Sequence, residues 1–150
     1  MIRELRDVLW IGDSTLTSEI MPAGEYFIGD LCYVLDSRWG EVCDKIIDGD
    51  EVLEGRFELR DGLEFAVFST CFGDGVYEDG AGNEYGVDSG SIGCVKVEDI
   101  DASCSKKDLH QIGRVVRFDT PFIVRVLSDG GRWYANTYKL CFGEVEIETA

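Results

Sequence analysis

Short β-type segments separated by glycine and aspartate turns run through most of this chain, and they limit the possible folds more than any other feature. Asp61-Gly62 interrupts the run GRFELRDGLEFAVFST, and the glycines of residues 80–82 separate VYED from NEYGVD. Two β-type runs joined by such a turn predict a β-hairpin. Further segments of this type are EYFIGDLCYVL, CVKVEDI, GRVVRF, PFIVRVL, RWYAN and FGEVEIET. This spacing predicts a largely antiparallel sheet, curled into a small barrel or a sandwich.

Residues 37–48, SRWGEVCDKIID, have the spacing of an amphipathic helix, for which Asp36 or Ser37 is the expected N-cap. Its apolar positions are Trp39, Val42, Cys43, Ile46 and Ile47. A second, short helix is expected to begin at Ser105. The fold class predicted is therefore α+β and β-rich, with one main helix packed on the sheet. No linker, low-complexity tract or repeat divides the chain, so residues 1–150 are expected to form a single domain.

The N-terminal segment carries charges at residues 3, 4, 6 and 7, which argues against a secretory signal. No window approaches the roughly 20 apolar residues of a membrane span. We therefore expect a soluble protein of the cytoplasm, or of the host cytoplasm if the chain is viral. The six cysteines form no CxxC pair and are expected to be buried free thiols. Zinc fingers and ribbons are excluded, because His110 is the single histidine.

Acidic residues dominate the charge of the chain. Thirty Asp and Glu against fourteen Lys and Arg give a net charge of −16, and residues 1–75 hold seventeen of the acids and six of the bases. Such a surface repels phosphate backbones, so direct nucleic-acid binding is not expected. It suits a partner with a basic surface. The densest acidic set, and the predicted partner-binding site, consists of Glu41, Asp44, Asp48, Asp50, Glu51 and Glu54.

Residues 71–93, CFGDGVYEDGAGNEYGVDSGSIG, combine seven glycines with five carboxylates. Aspartate beside glycine is typical of tight turns, which is the favoured interpretation. Carboxylates are also hard ligands for Mg²⁺ or Ca²⁺. If Asp74 and Asp88 converge with Asp30 from an earlier segment, they could hold a metal ion and activate water. A divalent-metal-dependent hydrolase is therefore an alternative function, although no cofactor is expected on the favoured interpretation.

Three tyrosines accompany the Gly/Asp motifs and allow another alternative. Tyr33, Tyr77 and Tyr85 could present aromatic faces to a nucleotide-like ligand in the mouth of a barrel. The glycine spacing matches neither GxGxxG nor GxxxxGK[ST], which excludes dinucleotide and P-loop sites. A serine or cysteine triad would need His110, in the polar stretch DLHQIG, and Ser89 lacks the strand-turn-helix context of a nucleophile. Catalysis is therefore not the favoured interpretation.

The order of YFIGDLCYVL, FAVFSTCFGDGVYEDGAGNEYGVDSGSIGCV, GRVVRFDTPF and FGEVEIETA resembles a family of small uncharacterised proteins from bacteria, phages and large DNA viruses. The resemblance implies a shared fold and an origin in a virus or mobile element, and it assigns no catalytic residue. Together with the charge, it favours a non-catalytic acidic accessory protein. Such a protein is expected to bind, and thereby inhibit, a basic nucleic-acid-handling protein of the host.

Overall fold

The structure, a computed structural model, describes residues 14–150 as two antiparallel sheets, a two-stranded hairpin and two α-helices. The strands are β1 (Ser14–Met21), β2 (Gly24–Gly29), β3 (Ile47–Asp48), β4 (Glu51–Val52), β5 (Gly55–Glu58), β6 (Glu64–Ser69), β7 (Gly75–Asp79), β8 (Glu84–Val87), β9 (Ser91–Lys96), β10 (Gly113–Phe118), β11 (Phe122–Ser128), β12 (Tyr138–Phe142) and β13 (Val145–Glu148). The α-helices are α1 (Trp39–Ile46) and α2 (Lys106–Ile112), and 3-10 turns cover Leu31–Tyr33, Asp36–Arg38 and Val97–Asp99. One sheet has the strand order β1-β11-β12-β13-β7-β8, the other has the order β10-β2-β9-β6-β5, and β3 pairs with β4.

The five-stranded sheet is the middle of three layers, because its alternate side chains enter two different apolar clusters. Tyr26 and Ile28 of β2 pack in one cluster with Val124 of the six-stranded sheet. Phe27, which lies between them in sequence, packs in the other cluster with Val42 of α1. Burial on both faces explains why β6 and β9 are nearly continuous apolar runs rather than alternating ones.

The expected α+β, β-rich fold with one main helix is confirmed. The sequence left a barrel and a sandwich as alternatives. The sheets form a sandwich, and within residues 14–150 they do not close into a barrel. Both predicted hairpins are present: β5 pairs with β6 and β7 with β8. Their turns contain Gly62 and Gly82 at φ of 91° and 85°, where a side chain would be strained. The helix predicted at Ser105 is also present, with that serine in a capping box with Asp108.

The main helix is shorter than the predicted range 37–48, and neither predicted N-cap residue caps it through its side chain. Ser37 instead donates its amide and its hydroxyl to the two oxygens of Asp101, at 3.0 and 2.6 Å. This contact joins residues 64 positions apart, so the local pattern does not contain it. The apolar pattern continues to Ile47, but the chain there has already entered the β3–β4 hairpin and leaves this side chain exposed.

Two segments predicted as strands are turns. The LCYVL part of the first run forms a 3-10 turn, because the carboxylate of Asp30 accepts a hydrogen bond from the amide of Cys32. The segment RWYAN belongs to the loop before β12, where the carboxylate of Asp129 accepts the amides of Asn136 and Thr137 at 2.8 and 3.2 Å. These side chains compete with strand pairing for the backbone donors.

Other expectations concern the N-terminus and the cysteines. The prediction that no secretory signal is present rests on residues outside the described part of the chain. None of the described helices is long and apolar enough to cross a bilayer. All six cysteines are free, but the expectation that all are buried is wrong for three of them. Cys71, Cys94 and Cys141 are buried, whereas Cys32, Cys43 and Cys104 are partly exposed.

Candidate functional site

Asp30 joins the end of β2 to the loop between β8 and β9. Its side chain is buried, and each carboxylate oxygen accepts two hydrogen bonds. Oδ1 accepts the amide of Cys32 at 3.0 Å and the hydroxyl of Ser89 at 2.7 Å. Oδ2 accepts the amides of Asp88 and Ser89 at 2.8 and 2.7 Å. Asp30 therefore fixes the shape of the loop that follows β8, and the Ser89 hydroxyl has a structural partner.

Two of the three predicted metal ligands, Asp30 and Asp88, lie close together. The Asp30 carboxylate contacts the backbone amide of Asp88, however, and not its carboxylate. The side chain of Asp88 does not turn to Asp30; it accepts the hydroxyl of Tyr33, which raises the pKa of that phenol. Asp74 is exposed in the turn before β7. Within residues 14–150, no group of three or more His, Cys, Asp or Glu side chains is close enough to hold a metal ion. The metal-dependent hydrolase stays a prediction.

The three tyrosines proposed for a flat ligand are not gathered in one open mouth. Tyr85 is fully buried in the cluster between the two sheets, whereas Tyr33 packs against the cluster on the helical side. Tyr77 faces Tyr85 across the β7–β8 hairpin and donates its hydroxyl to the carbonyl of Gly73 at 2.7 Å. Tyr77 and Tyr85 thus share one cluster, and Tyr33 lies in the other. Binding of a nucleotide-like ligand by these tyrosines stays a prediction.

The buried carboxylate of Asp79 stabilises the tip of the β7–β8 hairpin. Asp79 accepts the hydroxyl of Tyr85 at 2.6 Å, the amides of Ala81 and Asn83 at 2.8 and 3.0 Å, and Arg114 Nη1 at 3.3 Å. Burial by itself raises the pKa of this carboxyl, but the hydrogen bonds outweigh it and lower the pKa to about 2. Asp79 is therefore a charged structural group, and its neighbours leave it little room for another ligand.

Five of the six residues in the predicted acidic set are exposed on neighbouring elements. Glu41 and Asp44 belong to α1, and Asp48, Asp50 and Glu51 belong to the β3–β4 hairpin and its turn. We call these five residues the acidic face. Glu41 pairs with Arg38, which lowers the pKa of that glutamate. Among the side chains that the structure describes, the other four carboxylates have no ion-pair partner.

Glu54, the sixth residue of the predicted set, lies apart from this open face. Its side chain is 21% exposed and accepts the amide of Ser69 at 2.7 Å. It also forms an ion pair with Arg132, whose guanidinium donates to the hydroxyl of Tyr138 at 2.9 Å and lies over that ring. Glu54 therefore holds the loop before β12 against the end of β6, and its charge is neutralised there.

An apolar groove of about 650 Å³ lies beside the acidic face. One wall is α1 with the β3–β4 hairpin, and the other walls are loops at residues 69–73, 89–91 and 132–133. The apolar side chains that line it include Trp39, Cys43, Ile47, Val52, Phe72 and Trp133. Four of these are strongly exposed, and Phe72 and Trp133 most of all, at 73% and 80%. Exposed apolar side chains that share one concave surface are typical of an interaction site.

The sequence pattern does not reveal this groove, for two reasons. Trp133 stands in RWYAN, and aromatic residues favour strands so strongly that the segment resembled a buried one. Phe72 stands in the glycine-rich run, where the carboxylates were the more obvious chemistry. An exposed aromatic residue inside a turn-forming run is the signal that could have indicated a contact surface.

Comparisons with family models, with curated proteins and with solved structures find no match for this chain. The resemblance given above therefore stays a prediction.

Proposed function

We propose that this chain is a non-catalytic binding protein whose acidic face engages a basic surface of another protein. One observation carries the proposal: Asp44, Asp48, Asp50 and Glu51 are exposed on adjacent elements and form no ion pair with any side chain that the structure describes. With the paired Glu41 and Glu54 left out, residues 39–54 hold four acids and one lysine, so the local charge is negative. Charges of this kind accelerate association with a partner of opposite sign.

The class of partner follows from the same charge. Proteins that handle nucleic acids carry basic surfaces that bind phosphates, and a surface of exposed carboxylates can occupy such a site in place of the phosphates. Occupation would inhibit the partner. The resemblance to proteins of viruses and mobile elements leads us to place that partner in the host. Direct binding of this chain to nucleic acid is not part of the proposal.

The side chains that could act in catalysis are either hydrogen-bonded within the fold or buried in an unreactive form, which supports a non-catalytic role. The Ser89 hydroxyl bonds to the carboxylate of Asp30 and to the hydroxyl of Ser91, and that carboxylate also accepts backbone amides. Burial raises the pKa of the Cys94 thiol to about 12 and that of the Cys141 thiol to about 11, so both stay protonated near neutral pH.

The proposal is tested by affinity capture from a host lysate at roughly 0.05 M and 0.5 M salt, because screening weakens exposed charge pairs at the higher value. The wild-type chain is compared with the triple variant Asp44→Lys, Asp48→Lys and Glu51→Lys. We expect a basic, nucleic-acid-handling protein to be retained by the wild type at low salt and released at high salt. The variant is expected to retain none.

A matched control makes the same change in charge elsewhere. Glu144, Glu146 and Glu148 are exposed on β13 and the turn before it, so their replacement by lysine alters the net charge equally. This control is expected to capture the same protein as the wild type. Equal loss with both variants would mean that net charge alone acts, and capture that persists with the face variant would refute the proposal.

A further inference from the structure

The apolar groove is open to solvent on one side, and hydrogen bonds fix the loops that form its walls. The hydroxyls of Thr70 and Tyr77 both donate to the carbonyl of Gly73 at 2.7 Å, which fixes the 69–73 loop. The amide of Thr70 donates to the carbonyl of Gly90 at 3.0 Å, which joins that loop to residues 89–91. A groove that is already formed loses little conformational entropy when it is filled.

Further bonds hold the wall that carries Trp133. The thiol of Cys71 bonds to the carbonyl of Arg132 at 3.0 Å, and the amide of Cys71 donates to the hydroxyl of Thr149 at 3.1 Å. The Arg132 guanidinium in turn pairs with Glu54. Trp133 therefore projects from an anchored backbone, and its large exposed surface is ready to pack against another molecule.

One carboxylate lies at the edge of this groove. Asp74 Oδ1 lies 4.0 Å from the position that a Cβ on Gly90 would occupy, and Gly90 lines the groove. Asp48 and Glu51 pair on the β3–β4 hairpin, on the face opposite to the lining residues Ile47 and Val52, because neighbours along a strand point to opposite faces. All three carboxylates are exposed. Arg132, the charged residue among those that line the groove, is already paired with a carboxylate. The groove is thus apolar inside, with the Asp74 carboxylate at its edge and the acidic hairpin beside it.

We infer that this groove binds an apolar anchor of the partner, a large aromatic or aliphatic side chain in a segment that carries Lys or Arg on both sides. The inference rests on the proposed function and names the feature that the partner must have besides its charge. The anchor fills the space between Trp133, Phe72 and Val52. One flanking cation faces Asp74, and the other extends over the hairpin that carries Asp48 and Glu51. Interfaces commonly concentrate their binding energy in such buried anchors, and charged rims mainly set the rate and specificity.

The first experiment selects peptides from a displayed random library on the purified full-length chain. We expect the enriched peptides to share one or two large apolar residues flanked by Lys or Arg. A synthetic peptide of the enriched sequence is then labelled, and its dissociation constant is measured by fluorescence anisotropy. The double variant Phe72→Ser and Trp133→Ser is expected to bind it at least about 10-fold more weakly. Both side chains are largely exposed, so the variant should retain the stability of the wild type.

Two other exposed apolar residues give the control. Tyr134 is 91% exposed and Val76 is 65% exposed, and neither lines the groove. The double variant Tyr134→Ser and Val76→Ser is expected to bind the selected peptide with the affinity of the wild type.

The outcomes separate this inference from the proposed function. Enriched peptides that are basic but lack an apolar residue, or that bind the groove variant as tightly as the wild type, would overturn the inference and leave the acidic face as the binding site. Apolar peptides without Lys or Arg would also overturn the inference, because the flanking cations are part of it. Failure to enrich any peptide over the bare support would overturn the inference that the groove binds an apolar anchor. The proposed function is decided separately, by the capture experiment with the charge variants.

Discussion

Replacement of Asp30 by alanine is expected to destabilise the protein more than any other single change of an acidic residue discussed above. The change removes the acceptor of three backbone amides, those of Cys32, Asp88 and Ser89, and of one hydroxyl. An unsatisfied buried donor costs about 1–3 kcal/mol. Asp88 and Ser89 are exposed residues, so water can partly replace the lost acceptor, and the lower end of that range applies. Three amides at about 1 kcal/mol each predict a loss of about 3 kcal/mol.

This loss is a large fraction of the roughly 5–15 kcal/mol that stabilises a typical domain. Urea denaturation followed by circular dichroism measures it as a change in the free energy of unfolding. Asp30→Asn keeps one carbonyl oxygen, so we expect an intermediate loss. The control Asp74→Ala removes an exposed carboxylate of the same run and should stay within about 0.5 kcal/mol of the wild type.

The reasoning would be refuted if Asp30→Ala unfolded with nearly the wild-type free energy. The carboxylate would then not be a structural acceptor, and the metal hypothesis would gain support. Stabilisation of the wild type, but not of Asp30→Ala, by Mg²⁺ or Ca²⁺ would point the same way.

Three further changes test other parts of the structure. The pKa of Asp79 is about 2 in the folded chain against 3.8 normally, so the wild type should lose about 2 kcal/mol of stability as the pH falls from 4 to 2. The variant Asp79→Asn should lack this loss, and equal pH dependence of the two proteins would contradict the prediction. A methyl group on Gly93 would lie 2.2 Å from a carbonyl oxygen of β6, so Gly93→Ala should lower the free energy of unfolding by about 3 kcal/mol or prevent folding. Gly86 has open space around it, so Gly86→Ala should lower that free energy by less than about 1 kcal/mol, as measured by thermal unfolding. A double-mutant cycle of Glu54→Gln and Arg132→Met should give a coupling energy of about 1 kcal/mol, and a value near zero would mean that the pair does not hold the loop.

Patterns between near neighbours in sequence predicted much of the fold. The two hairpins form at Gly62 and Gly82, because each turn needs a positive φ that glycine adopts without strain. The short helix begins at Ser105, because a capping box is complete within four residues. Strand β1 carries a weak signal, since serine and threonine dominate it, and it is stabilised by pairing with β11 rather than by its own pattern.

The candidate site was predicted in part. The acidic face was identified from composition, because five of its residues stand in one continuous stretch and remain exposed. The pairing of Glu54 could not be predicted, since Arg132, its partner, is 78 residues away in sequence. The groove could not be predicted, because its walls come from four separate segments that approach one another only when the sandwich forms.

The sequence by itself determined the α+β class, the hairpins and the negative charge, all of which depend on residue type or on contacts within a few positions. Tertiary structure decided which carboxylates are buried, which are paired and which face solvent. It also placed Phe72 and Trp133, 61 positions apart, on one surface. The physical reason is that burial, hydrogen bonding and charge pairing act between residues that are close in space, and spacing along the chain does not specify that closeness for residues many positions apart.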